Sequence, residues 1–159
     1  MIALALLAAA PSSQSADLSP FNPFVGACWR ADFTATVHDT HCFEQLYGGA
    51  HVRDRHEVRD NGKTVYAGET IYSADGDSLV FTYVNSLGGV GHGAARAGGG
   101  KLRFSGSMRG SPADAPQPID SEWRVIDADH YEVRSLVPSK SSQAGKPLVF
   151  TRVAEPRPK

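Results

Sequence analysis

Between residues 50 and 86 the chain alternates apolar and polar side chains in three runs separated by tight-turn pairs. His51–Arg59 leads into Asn61-Gly62, Thr64–Tyr72 into Asp75-Gly76, and Ser78–Asn85 follows. Asn-Gly and Asp-Gly tolerate the positive φ of type I′ turns, so the spacing predicts two consecutive β-hairpins. With those pairs as turn centres, Asp54 stands opposite Glu69 and His56 opposite Ala67. One face then carries Val52, Asp54, His56, Val58, Val65, Ala67, Glu69, Ile71, Val80, Thr82 and Val84. The other combines Arg53, Arg55 and Arg59 with Tyr66, Tyr72, Leu79, Phe81 and Tyr83. The first face is expected inside, because burying three unpaired arginines costs far more than burying one acid–histidine cluster. A slip of one residue in either turn would exchange the faces.

The same short-period alternation recurs on both sides. Ala27–Thr34 and Thr40–Tyr47 read as strands joined around Ala35–Asp39, with a bend at Gly48-Gly49. Gly88–Gly100 is loose, with a short strand around His92–Arg96. Further strands are expected at Lys101–Met108, Ser121–Ile126, Tyr131–Val137 and Pro147–Val153. Asp17–Val25 holds two prolines and two phenylalanines, so it makes at most a short helical turn whose rings could plug one end. About ten short strands without a long helix predict an all-β fold. An antiparallel up-and-down β-barrel of about ten strands is the economical solution, since it leaves few exposed edges.

Composition sharpens this in three ways. Sixteen basic and 17 acidic residues nearly cancel, which argues against nucleic acid as a partner. Ile2–Ala10 is apolar and followed by small polar residues, so residues 1–16 are expected to be a signal peptide and 17–159 a single barrel domain. An ordinary buried N-terminal helix is the alternative. The apolar run is too short to span a bilayer, so the mature chain is expected to have no integral membrane segment. Cys28 and Cys42 are the only cysteines; in an exported, periplasmic or secreted chain an even count favours a disulfide over two separate thiols.

Gly26-Ala27-Cys28-Trp29 near the start and Phe150-Thr151-Arg152 near the end resemble the two ends of lipocalin-like (calycin-type) barrels. Gly48-Gly49, Gly62-Lys63-Thr64-Val65 and Asp75-Gly76 extend the resemblance to small bacterial lipocalin-like domains of unknown function. It implies a structural pairing of Trp29 with Arg152 at the closed end. It supplies no catalytic residue.

Candidate chemistry centres on the inner cluster Asp54, His56 and Glu69, with Thr82 on the same face. Two close carboxylates beside an imidazole could hold the polar head of a ligand or do acid–base work. A hydrogen-bonded polar plug is the bland alternative. His38, His41 and Cys42 have metal-ligand residue types, but only Asp39 is local to them and Cys42 is expected to be oxidised, so no metal is expected. Gly62-Lys63-Thr64 lacks the upstream glycine and helix of a P-loop, and Gly89-Val90-Gly91 precedes no helix. No cofactor is therefore expected. The leading expectation is a barrel binding a small, partly lipophilic molecule. The alternative is a filled barrel whose Arg/Tyr face meets another protein or, as a homodimer, itself. An enzyme using Asp54, His56 and Glu69 is a third reading, without a complete catalytic constellation.

Overall fold

A computed structural model describes residues 16–138 and 146–154, so residues 1–15 of the expected leader lie outside the described residues. A 3-10 turn, Ser19–Phe21, precedes strands β1 (Ala27–Asp32), β2 (Val37–Leu46), β3 (His51–Asp60), β4 (Lys63–Asp75) and β5 (Ser78–Asn85). Strands β6 (Val90–Gly98), β7 (Lys101–Met108), β8 (Gln117–Val125), β9 (His130–Ser135) and β10 (Leu148–Val153) complete it. Each strand pairs with its chain neighbour, and β10 pairs with β1, closing a ten-stranded antiparallel up-and-down barrel. The architecture agrees with the lipocalin-like resemblance at the level of fold. No described helix is long and apolar enough to cross a membrane.

The β3–β4 hairpin turns where expected. Asn61 and Gly62 both have positive φ, and Asp60 faces Lys63. Two residue pairs later the register changes: Arg59 faces Thr64, but Val58 faces Tyr66, leaving Val65 as the extra residue of a β-bulge. Every residue beyond it moves by one. Asp54 faces Thr70, His56 faces Gly68 and Glu69 faces Arg55, which corrects the expected Asp54–Glu69 pair. The next turn is centred on Gly76-Asp77, with Asp75 facing Ser78; this two-residue displacement leaves the faces of β4 and β5 matched as expected.

The bulge resolves a conflict between the two faces. On β3, Val52, Asp54 and His56 point inward while Arg53, Arg55 and Arg59 point out. On β4 and β5 the aromatic set goes inside: Tyr66, Thr70, Tyr72, Leu79, Phe81 and Tyr83. Arginines stay in water and rings are buried, as hydration requires. No regular register that keeps Asn61-Gly62 as a two-residue turn can do both. The cost of the bulge falls on Val65, which is exposed.

Two further expectations change and a third holds. Asp39 lies within β2, facing Ala31, because the β1–β2 turn is shorter than expected. The glycine-rich segment forms a full strand, β6, rather than a loose stretch. Gly93 faces Gly106, and a Cβ on Gly93 would lie 2.7 Å from the Phe81 ring, so the strands approach too closely there for a side chain. The Cys28–Cys42 disulfide does form, between directly paired residues of β1 and β2.

One end of the barrel is packed solid. Phe21 and Phe24, from the segment before β1, enter it and are buried with Trp29, Phe43, Tyr72, Phe104, Trp123, Tyr131 and Phe150. Phe21 stacks on Tyr72 at 4.3 Å, and Phe24 meets Trp29, Trp123 and Tyr131 edge-on. The Trp29 indole donates to the Phe24 carbonyl oxygen, and the Arg152 guanidinium lies 4.4 Å over its ring. Arg152 also donates from Nε to the Ala128 carbonyl oxygen, tying the last strand to the β8–β9 turn.

Candidate functional site

At the opposite end the interior is polar on one side. Strand periodicity puts Asp39, His41 and Phe43 of β2 on the inner face, and Val52, Asp54 and His56 of β3 beside them. His41 directly faces His56, with the two rings stacked at 4.8 Å. Asp39 lies one step nearer the mouth and Asp54 one step deeper. After the bulge, β4 and β5 add Tyr66 and Tyr83. Asp54, His41, Asp39, His56, Tyr83 and Tyr66 form one continuous hydrogen-bonded chain.

It starts at Asp54, which is 2% exposed. His41 donates from Nδ1 to both Asp54 oxygens, at 2.8 and 3.0 Å, and from Nε2 to Asp39 at 3.1 Å. His56 Nδ1 lies 3.3 Å from the other Asp39 oxygen, and its Nε2 is 3.2 Å from the Tyr83 hydroxyl. The Tyr83 and Tyr66 hydroxyls bond to each other. A carboxylate only accepts, so His56 donates to Asp39 through Nδ1; with Nε2 accepting a hydrogen bond from the Tyr83 hydroxyl, Tyr83 in turn accepts from Tyr66.

Gly68 makes this chain possible. It faces His56 across the strands, and a Cβ there would collide with His56 Nε2 and lie 2.6 Å from the Tyr83 hydroxyl. Any side chain at position 68 would break the link between imidazole and phenol.

The electrostatics follow from the partners. Burial alone would push the His41 imidazole down, but the Asp54 and Asp39 carboxylates outweigh it and raise it from 6.5 to about 10. Burial would likewise raise Asp39; hydrogen bonds from His41 and His56 instead hold it well below the usual carboxylate range. Burial, then the Tyr66 hydroxyl, pushes Tyr83 well above the ordinary phenol range. His41 is thus a cation clamped between two acids, and Tyr83 keeps its proton. The group suits hydrogen-bond donors and cations better than anions.

Across the barrel the wall is more apolar. Met108, Ile119, Val133 and Leu148, on β7 to β10, point inward and stay only half-buried, with Gln117, Ser121 and Ser135 interspersed on the same face. Gly106 faces Ile119, and Leu148 faces Val133. In the strand order β2–β5 and β7–β10 form opposite walls, so a polar wall and a more apolar wall flank the mouth.

Of the residues singled out from sequence, Asp54 and His56 stand on this inner wall. Glu69 does not: it lies outside, 3.7 Å from Arg53, in a charge ladder with Glu44, which accepts from Arg53 Nε at 2.8 Å. Thr82 is also outside and exposed, facing Ile71 and His92. Both are displaced by the single extra residue at Val65. His38 and Cys42 sit on the outer face, because residues three apart on a strand point opposite ways, and His41 alone of that group joins Asp39 inside. Asp39, His41, Tyr66 and Tyr83 are the members of the cluster that sequence reasoning left out. Compared with known proteins, the chain matches no family model and no curated protein.

Proposed function

We propose that the protein is an exported binding barrel whose open half holds a small, partly apolar molecule. The polar end of that molecule, a hydrogen-bond donor or cation, would meet Asp39, His56 and the two tyrosines. Its apolar body would lie against Ile119, Val133 and Leu148. The observation that carries this reading is the division of the mouth into two unlike walls. His41, His56, Tyr66, Ile119, Val133 and Leu148 are only partly buried, while the inner side chains of the same strands at the other end are buried. A pocket lined by apolar surface with a few convergent polar groups is the usual form of a small-molecule site. The disulfide between β1 and β2 suits an oxidising compartment, and export through the N-terminal apolar run belongs to the same proposal.

The filled-barrel alternative, as an interaction or structural module, is compatible with the same fold. The bulge places Tyr66, Tyr72 and Tyr83 inside, so the outer face of such a module would present the arginines without these tyrosines.

Native mass spectrometry of the protein purified from its own host tests the proposal. A bound small mass should be present, and Val133→Trp should lose it while the barrel stays folded. A wild-type protein that carries and binds no small molecule, with a Val133→Trp variant more stable than wild type, would contradict it.

A further inference from the structure

Three inner side chains of the polar wall offer donor atoms to a common point. His41 Nε2 lies 3.1 Å from one Asp39 oxygen and His56 Nδ1 lies 3.3 Å from the other. All three donor atoms lie within 4.8 Å of one another. Ligand atoms around a first-row ion with bonds of about 2.0–2.2 Å stand roughly 3–3.5 Å apart, so each imidazole nitrogen already stands at that distance from one oxygen of the same carboxylate. Gathering all three residues on one ion requires small rotations of the carboxylate and the imidazoles.

The surroundings of these donors resemble a metal site more than a random polar cluster. An imidazole that binds a metal ordinarily has its other nitrogen fixed by a carboxylate or another oxygen. Here both do. Asp54, almost fully buried, holds His41 Nδ1, and the Tyr83 hydroxyl holds His56 Nε2. Gly68 keeps the space in which that second contact is made. Both imidazoles are therefore oriented from behind, with their remaining nitrogens turned towards one carboxylate.

We propose that Asp39, His41 and His56 bind one divalent first-row transition ion at the mouth of the barrel. Two nitrogens and one carboxylate favour Zn²⁺ or its neighbours over Mg²⁺ and Ca²⁺, which prefer oxygen throughout. Three protein ligands leave at least one coordination position for water or a bound molecule. Coordination requires His41 to release the Nε2 proton that it donates to Asp39 in the metal-free protein, and His56 to move its proton from Nδ1 to Nε2, where it then donates to the Tyr83 hydroxyl. The site does not require the barrel to hold an organic ligand, and either proposal can fail without the other.

Titration of chelator-treated protein with Zn²⁺ by calorimetry should give one ion per chain. Asp54→Asn, which alters only the group behind His41, should weaken binding by about 10–100-fold, and His56→Ala by more. His38→Ala and His92→Ala, on the outer face, should leave binding unchanged. X-ray absorption of the zinc-loaded wild type needs no variant and should show two imidazoles with oxygen completing the shell. No stoichiometric binding, binding unaltered in a folded His56→Ala protein, or a shell with fewer than two imidazoles would overturn the proposal.

Discussion

The two halves of the barrel use the same ten strands for opposite purposes. At the closed half, inward positions carry Trp29, Phe43, Tyr72, Phe104, Trp123, Tyr131 and Phe150, and two phenylalanines from outside the barrel fill what remains. At the open half the same alternation presents Asp39, His41, His56, Tyr66 and Tyr83 against four half-buried apolar residues. Packed rings cannot rearrange without loss, whereas partly solvated hydrogen-bonding side chains can exchange partners. Stability should therefore reside in one half and recognition in the other.

The largest effect that tests this division is at the closed end. Trp29→Ala should cost about 3–5 kcal/mol in urea unfolding, since the indole is buried and locked by Phe24 and Tyr131. A loss below about 1 kcal/mol would dissolve the distinction between the halves. Opening the Cys28–Cys42 link, which closes a short loop, should cost roughly 3 kcal/mol in the chain-entropy account. Comparison of unfolding midpoints with and without reductant measures it, and equal midpoints would show that the link adds nothing.

Acidity probes the polar half. His41 is raised on folding, so its contribution is complete below its unfolded value of 6.5 and is lost as pH climbs to about 10. Asp39 is depressed, so its contribution is present above 3.8 and is lost on acidification. Stability in the presence of chelator should thus peak between these values and fall towards pH 10. A flat profile from neutral to alkaline pH would mean that His41 is not held between the two acids.

The smallest change concerns the boundary of the halves. The Tyr131 hydroxyl is buried without a hydrogen-bond partner among the described residues. Tyr131→Phe should therefore be neutral or stabilising by up to about 1 kcal/mol. A clear loss would reveal a bound water serving that hydroxyl.

Much of the fold was legible because turn chemistry is local. Asn61-Gly62 marked its hairpin, and Lys101–Met108 alternated cleanly enough to be bounded at both ends. The bulge was not legible from Val65, which is as strand-like as its neighbours. It was hinted at by its consequence, since a regular register forced either three arginines inside or Leu79, Phe81 and Tyr83 outside. The site suffered most from this. Glu69 was paired with Asp54 by counting from the turn, and one extra residue sent it to the surface. His41 and Asp39 were missed for a different reason. The three-residue spacing of His38 and His41 is metal-like in sequence, but on a strand only the two-residue spacing of Asp39 and His41 shares a face. β6 looked unstructured because glycines weaken strands in general, whereas Gly93 and Gly106 are needed for the close approach of two neighbours.

The central claim is that His56 and the two tyrosines of the polar wall serve binding rather than holding the barrel together. The unfolding free energy of His56→Ala in chelator tests it most directly. His56 contributes two hydrogen bonds near 3.2–3.3 Å, and its loss leaves Asp39 with His41 and Tyr83 with Tyr66. The expected cost is about 1 kcal/mol or less. A loss of about 3 kcal/mol or more, comparable to truncating Trp29, would make the cluster a structural plug and contradict the account.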